Sequence, residues 1–311
     1  MDYTDLLTIA MPVYERKEFF VEALESAINQ TVKCKIIVVD NCSSHNFYEQ
    51  VCKEKGITYY RNDENIGMAR NYGRCFDLSE TEYVMNLQDD DILSPIYVES
   101  FVNAHKQHPN IDLFFTNFIQ FNSSGEFHHR HTLPFGYMEN GEKIIEYGIR
   151  YKLGFPFMAS VIKKTMYSGF YSGFGGSYDW VWIYSIADKF SFYGDSRELY
   201  YYRAHELQDT KDNSITYSFT IPYIYEGILQ QKVSDNNLRK IASKNAFWAL
   251  VRFKSVAERK TVNELISKDN LFSNYLRKKL EEDWLIKFLF SLPKGIVKLS
   301  YKALAKVGMT N

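Results

Sequence analysis

Tyr83-Val84-Met85-Asn86-Leu87-Gln88-Asp89-Asp90-Asp91-Ile92-Leu93 is the stretch on which the reading of the fold turns. Its first half is apolar enough for a buried strand. It then ends in three consecutive carboxylates. Adjacent like charges at such a place need a positive partner, because an unpaired buried charge is costly. A divalent cation suits the role, since it takes hard oxygen ligands and bridges to phosphates. The alternative is a helix start. Ser94-Pro95 follows, proline fits a first helical turn, and acids are favoured near that end of the dipole. The alternative weighs most for Asp91.

Upstream, apolar strands alternate with helical spacings. Leu6 to Val13 reads as a strand buried on both faces and ended by Pro12. Phe19 to Asn29 places Phe20, Val21, Leu24, Ala27 and Ile28 on one helical face. Lys35 to Asp40 is a second strand, Tyr48 to Lys55 a helix and Ile57 to Arg61 a short strand. Met68 to Leu78 is a helix, and Glu82 to Leu87 the strand that delivers the carboxylates. Such alternation predicts an α/β chain with a Rossmann-like, doubly wound, mostly parallel sheet. Ligands of such sheets sit at the carboxyl ends of the strands. Asp40 and Asp89–Asp91 both occupy such ends, so the two acidic sites are expected to share one crevice. No Gly-x-Gly-x-x-Gly follows the first strand and no phosphate-cradling Gly-x-x-x-x-Gly-Lys-Ser/Thr occurs. Any phosphates would be met by a metal.

Composition narrows the classes. At 311 residues, the chain can hold one large domain or one domain with an extension. A formal net charge of -1 gives no global case for nucleic-acid binding. Cys34, Cys42, Cys52 and Cys75 lack a metal-type spacing, so free thiols in a reducing cytoplasm are expected. Met1-Asp2-Tyr3-Thr4-Asp5 does not read as a signal peptide, and no stretch reaches the roughly 18 apolar residues of a membrane span.

Four stretches carry a family resemblance. Thr8-Ile9-Ala10-Met11-Pro12-Val13-Tyr14 resembles the opening strand of family 2 glycosyltransferases, which are nucleotide-sugar-dependent, inverting and of GT-A fold. Ile36-Ile37-Val38-Val39-Asp40-Asn41-Cys42-Ser43 resembles their "VVDDGS" strand and loop. Asn65-Ile66-Gly67-Met68-Ala69-Arg70-Asn71-Tyr72-Gly73-Arg74-Cys75 is similar to their Asn-x-Gly helix start. Gln88-Asp89-Asp90-Asp91 matches their variable DxD region. The four occur in family order within about the first 100 residues.

The resemblance implies roles for these positions. Asp40 would accept from the N3–H of a uracil-like base, which favours a UDP-sugar donor. Pro12, Tyr14 and Glu15 would line the nucleotide pocket, with Asn65, Gly67 and Arg70 beside it. Asp89 would contact the ribose or donor sugar. Asp90 would ligate Mg²⁺ or Mn²⁺, and Asp91 would be a further ligand or a helix cap. Asn41 and Gln88 depart from the family, which often has Asp at both. Arg70 and Arg74, four apart on a helix, could face phosphates, with a solvated helix face as the alternative; a plain turn is the alternative for Gly67.

The acceptor side is expected between residues 101 and 214. Ile111 to Phe121 reads as a strand, Glu142 to Tyr151 as a helix and Phe157 to Lys163 as a strand. His128, His129, Arg130 and His131 form a basic cluster, read as a mobile solvated loop in preference to a metal site. Phe174-Gly175-Gly176-Ser177-Tyr178-Asp179-Trp180 makes a loop that opens a helix. In the resembling family an acid here, often in a Glu-Asp pair, is the general base. Asp179 matches, with Tyr178 in place of the first acid; an N-cap aspartate is the alternative. Leu199-Tyr200-Tyr201-Tyr202-Arg203-Ala204-His205, after a strand at Ser191 to Tyr193, resembles the family's "YRxH" ending. It would bring His205 to the metal and Arg203 to the diphosphate. Glu206 to Ser214 is polar enough for a lid.

Residues 1–214 are therefore expected to form the catalytic domain, its nucleotide-binding half within 1–100, and 215–311 a helical extension. Helices are expected at Ile221 to Gln231, Asn236 to Ser255 and Val262 to Trp284. From Trp284 to Met309 the chain carries Lys287, Lys294, Lys298, Lys302 and Lys306 with no acid, the pattern of a basic amphipathic helix at a membrane surface. A helical pair docked on the domain is the alternative. The implied reaction moves a sugar from a nucleoside-diphosphate sugar to a hydroxyl of a glycan or lipid-linked acceptor in bacterial surface polysaccharide synthesis. Its expected place is the cytoplasm or the inner face of the membrane. A nucleotidyltransferase would need a Gly-rich basic loop after the first strand, which Tyr14-Glu15-Arg16-Lys17 does not supply. A non-catalytic nucleotide- or glycan-binding protein would have no use for Asp40, Asp89, Asp90 and Asp179 together.

Overall fold

The structure, a computed structural model, describes residue 3 and residues 5–128, 133–151, 153–169, 177–205 and 214–306; side chains are described except at 126–128 and 214–217. Packing divides the chain into two compact units. One comprises Met1–Tyr147, Gly154–Phe170 and Ile186–Glu206; the other comprises Gly148–Leu153, Tyr171–Ser185 and Leu207–Asn311. The single division expected at residue 214 thus becomes an interleaved one.

The first unit is built on a mixed sheet. Its strands are β1 (Leu7–Val13), β2 (Lys35–Asp40), β3 (Thr58–Arg61), β4 (Tyr83–Asn86), β5 (Ile92–Leu93), β6 (Leu113–Asn122), β7 (Gly125–His128), β8 (Gly136–Met138), β9 (Ser160–Lys163) and β10 (Phe192–Arg203). The order is β3-β2-β1-β4-β9-β6-β10-β5, with β7 beside β6 and β8 beside β10. β3, β2, β1 and β4 run parallel, and β9 joins them to the rest as an antiparallel strand. The helices α1 (Phe20–Ile28), α2 (Phe47–Lys55) and α3 (Met68–Leu78) provide the crossovers expected from the alternation. α4 (Tyr97–Gln107) and α5 (Glu142–Tyr151) follow. β1 is buried at all seven positions and forms the centre of the core with Phe20, Leu24, Val38, Met85 and Phe101.

Pro12 does not end the first strand, as the sequence suggested, but lies inside it, opposite Val39. β4 has stopped pairing with β1 at Asn86, opposite Ala10, so two residues later a missing N–H leaves no ladder bond unmade. The strand expected at Phe157 to Lys163 opens instead with a 3₁₀ turn, Phe157–Ala159. Phe192–Tyr193 and Leu199–Arg203 belong to one strand, β10, whose register beside β6 shifts at Asp195, Glu198 and Tyr200. Those bulges hid its continuity, because each breaks the alternation by which a strand is read.

The second unit is helical. It contains most of α6 (Tyr178–Ile186), then α7 (Ser214–Tyr223), which widens into a π-helical turn at Ile224–Leu229. Pro222 lies inside α7, where its ring crowds the preceding turn and removes one hydrogen bond. α8 (Asn236–Val256), α9 (Arg259–Ile266), α10 (Leu271–Glu282), α11 (Trp284–Ser291) and α12 (Lys294–Lys306) complete it. The helix expected over Val262 to Trp284 is two, divided where Asn270 accepts from Ser273 N and caps the second. Asp235 and Asp283 cap α8 and α11 in the same way. No helix among the described residues is long and apolar enough to cross a membrane.

Candidate active site

The site grows from the way β4 stops short. Leu87 N still donates to Ala10 O at 3.0 Å, and the chain then leaves the sheet. Gln88, Asp89 and Asp90 therefore run past the end of β1 towards the loop that β1 opens. That loop carries Glu15 in the left-handed region, at φ 58, a conformation that strains a residue with a Cβ. Immediately after it, the Arg16 guanidinium meets Asp89 Oδ1 in an ion pair and lies 3.0 Å from Asp90 Oδ2. Tyr48 hydroxyl donates to Arg16 O and holds the backbone from behind.

The opposite wall comes from β10. Its antiparallel pairing with β5 puts Tyr200 opposite Leu93 and Tyr201 opposite Ile92. Arg203 and His205 are thereby carried back to the carboxylates. Arg203 N donates to Asp91 Oδ1 at 2.8 Å, and Arg203 Nε to Asp90 O at 2.7 Å. His205 Nε2 lies 2.8 Å from Asp90 Oδ2. The Phe19 ring lies against both: its centroid is 4.8 Å from that of His205 and 4.6 Å from the Arg203 guanidinium carbon. Arg203 also pairs with Glu22 at 2.6 Å.

The three aspartates, all buried, separate by their partners. Asp91 takes the Tyr200 hydroxyl at 2.6 Å on one oxygen and Arg203 N on the other. Burial, and then the charge of Asp90, push its carboxyl well above the usual carboxylate range. Both oxygens of Asp91 are thus turned into the protein, towards β10. Asp89 is held by Arg16, and Asp90 by Arg16 and His205.

On the β2 side, Asp40 is gripped by its own loop and by β3. It is fully buried, and its oxygens accept from Ser43 N at 2.9 Å, Ser43 Oγ at 2.6 Å and Tyr59 hydroxyl at 2.7 Å, with Arg61 3.4 Å away. A carboxylate so saturated shapes its loop. Glu15 likewise spends its carboxylate on Ser44, accepting from its N at 2.7 Å and its Oγ at 2.9 Å, which ties the β1 loop to the β2 loop. Pro12 is buried, whereas Tyr14 is exposed at the loop's surface. Asn65 Oδ1 accepts from Asn41 Nδ2 at 2.8 Å and from Gly67 N at 2.9 Å. Asn41 in turn accepts from Asn62 and from Ile66 N. Gly67 has φ 83, so glycine is what the turn demands. Arg70 is exposed on the first turn of α3.

Asp179 lies in the helical unit, in the first turn of α6, where its carboxylate accepts from Trp180 N at 2.8 Å. Desolvation pushes its carboxyl up to about 7. Phe174, Gly175, Gly176, His129, Arg130, His131 and the proposed lid at 206–213 lie outside the described residues.

Two residues that sequence reasoning passed over matter here. In the sequence Arg16 stands out only as part of the Tyr14-Glu15-Arg16-Lys17 loop, and Phe19 only as the start of a helix. The signal for Arg16 was available: a cation in the loop beyond β1, beside a strand that ends in acids.

Asp90 and His205 fit a hard divalent ion as part of a coordination shell, since oxygen and imidazole donors 2.8 Å apart can turn to one cation. Among the described residues no group of three His, Cys, Asp or Glu side chains is placed to hold a metal. The remaining ligands would have to come from substrate phosphates and water, as is usual for Mg²⁺.

Residues 8–165 match the profile of "Glycosyl transferase family 2", a little over half of the chain. The chain belongs to glycosyl transferase family 2. Its fold is the GT-A fold. Among its relatives, the minor teichoic acid biosynthesis protein GgaB of Bacillus subtilis is 33% identical over 112 residues, 33% of this chain and 12% of GgaB. The poly(ribitol-phosphate) beta-N-acetylglucosaminyltransferase TarP of Staphylococcus aureus is 29% identical over 116 residues, 34% of this chain and 35% of TarP. The chain spans less than half the length of the curated relatives it matches. In fold it is similar to residues 1–349 of S. aureus TarS in complex with UDP-GlcNAc, with a TM-score of 0.67 at 14% identity over 97% of this chain and 92% of that one.

Proposed function

We propose that this family 2 enzyme moves a sugar from a nucleoside-diphosphate sugar, with UDP-sugars favoured, to a hydroxyl of a glycan or lipid-linked acceptor, inverting the anomeric centre. We further propose bacterial surface polysaccharide as the setting, supported by the names of GgaB and TarP and by the UDP-GlcNAc held in TarS. The observation that carries the reading is the meeting of Asp90, His205 and Arg16 at the carboxyl end of the parallel strands. A lipid-linked acceptor would keep the enzyme at a bilayer, and the C-terminal helices have a face suited to one.

In this reading Asp90 and His205 hold Mg²⁺ or Mn²⁺, which would stabilise the charge gathered on the departing nucleoside diphosphate. To hold the ion, His205 would present its Nε2 lone pair to it. Arg16 would meet phosphate oxygens, and Asp89 would face the ribose or sugar. Tyr14, Glu15, Asn65, Gly67 and Arg70 are the exposed members of the nucleotide side. Asp91 and Asp40 keep the two loops in shape. Asp179 acts as general base and takes the acceptor hydroxyl's proton as oxygen attacks the anomeric carbon. Its elevated proton affinity suits that task, because a base works best when its pKa lies near the working pH.

The test is Asp179→Asn, assayed with a panel of UDP-sugars and Mn²⁺. Transfer should fall by at least about a thousandfold while UDP-sugar affinity stays within about twofold. Affinity lost in parallel with turnover would reassign Asp179 to donor binding.

A further inference from the structure

Helices α11 and α12 are each two-faced. The inward faces hold Ile286 and Val297, both 2% exposed, and both helices pack on α8. The outward faces are apolar where solvent should favour polar side chains. Trp284 is 77% exposed and Leu299 71%, more than any other large hydrophobic residue among those described. Phe288 follows Trp284 by one turn, and Ile296 precedes Leu299 by one turn, so each helix presents a short apolar stripe. Because both helices rest on α8, both stripes point away from it.

The charges beside these stripes are of one sign. Lys287, Lys298, Lys302 and Lys306 are exposed, and no acid occurs from Trp284 to Lys306. Lys294 is set apart by its pairing with Glu258 at 2.5 Å. The whole chain has a formal net charge of -1, so this positive charge is a local feature. A second copy of the same face would bring lysine against lysine, which opposes self-association. Tryptophan at the margin of an apolar stripe with flanking lysines is the chemistry of a helix lying in a headgroup layer.

We propose that α11 and α12 form a docking face for an anionic lipid bilayer. Trp284, Phe288 and Leu299 enter the headgroup–acyl boundary, and the four lysines meet anionic headgroups. The helices lie on the membrane and do not cross it. The packed inner faces, through Ile286 and Val297, keep the stripes presented before any lipid arrives.

The experiment is co-sedimentation of the full chain with extruded phosphatidylglycerol/phosphatidylcholine vesicles and with phosphatidylcholine alone, without any sugar nucleotide. Binding to the anionic vesicles is expected, weakening as salt rises, with little binding to the neutral ones. The double variant Phe288→Ser, Leu299→Ser should release the protein. Its thermal melting should be unchanged, because both side chains already face solvent. Replacing Lys298, Lys302 and Lys306 by Gln should weaken binding by about fivefold per lysine at low salt. Failure of the natural chain to sediment with the anionic vesicles overturns the proposal. So does unaltered binding by the serine variant, or a dimer of the natural chain that the serine variant turns into a monomer. Vesicle binding is read apart from transfer, so its failure leaves the proposed reaction standing.

Discussion

Asp90 Oδ2 already has two partners, the Arg16 guanidinium at 3.0 Å and the His205 ring at 2.8 Å. A metal that takes this oxygen must displace Arg16 or share with it. Arg16→Gln should therefore tighten Mn²⁺ binding in the absence of nucleotide, by about tenfold, as read from the free-Mn²⁺ resonance signal. Weaker binding would mean that Arg16 organises the ligands. Asp179 carries a second prediction, in pH. Its carboxyl is held near 7, above the ordinary value of 3.8, because burial disfavours the anion. The base must be deprotonated, so kcat/KM should climb about tenfold per pH unit below about 7 and level off above. The folded state holds this proton to higher pH than the unfolded chain does. Its stabilising contribution is thus complete below about 4 and lost as pH rises through about 7. Asp179→Asn should remove that decline from a thermal-melting series.

At the scale of elements, β10 decides where the site forms. It crosses the sheet edge beside β6 and β5 and returns Tyr200, Arg203 and His205 to carboxylates more than a hundred residues earlier. The Tyr200 hydroxyl satisfies a buried carboxylate, so Tyr200→Phe should cost about 1–3 kcal/mol in denaturant unfolding. Asp91→Asn should cost less, since an amide oxygen still accepts and no buried charge remains. The family-like segments were legible because β1, β2 and β4 are continuous apolar runs that end in polar loops. β10 was not, because its bulges interrupt the period of two.

For the whole molecule, a donor that binds the folded state must raise its apparent stability. At a hundred times its dissociation constant, a UDP-sugar with Mn²⁺ should add about 2.7 kcal/mol, a shift of several degrees in the melting midpoint. Asp90→Asn should lose most of that shift. The chain's division also belongs to this scale. Residues 148–153 and 171–185 join the C-terminal helices instead of the sheet unit they interrupt. That grouping follows from contacts such as Asn245 Nδ2 to Ile149 O at 2.8 Å, which no local pattern encodes.

What the sequence by itself determined was local and periodic: the strand–helix alternation, the acidic ends of β2 and β4, the glycine at φ 83 in the Asn-x-Gly turn and the two-faced basic tail. Each depends on residues a few positions apart, within reach of backbone sterics and side-chain spacing. Only the tertiary structure decided which acid does what. Asp89, Asp90 and Asp91 are adjacent and chemically identical in sequence. They differ because Arg16 arrives from one loop while Tyr200, Arg203 and His205 arrive on a strand from the other end of the catalytic unit. A carboxylate's role depends on its burial and its partners, and both are properties of the folded chain.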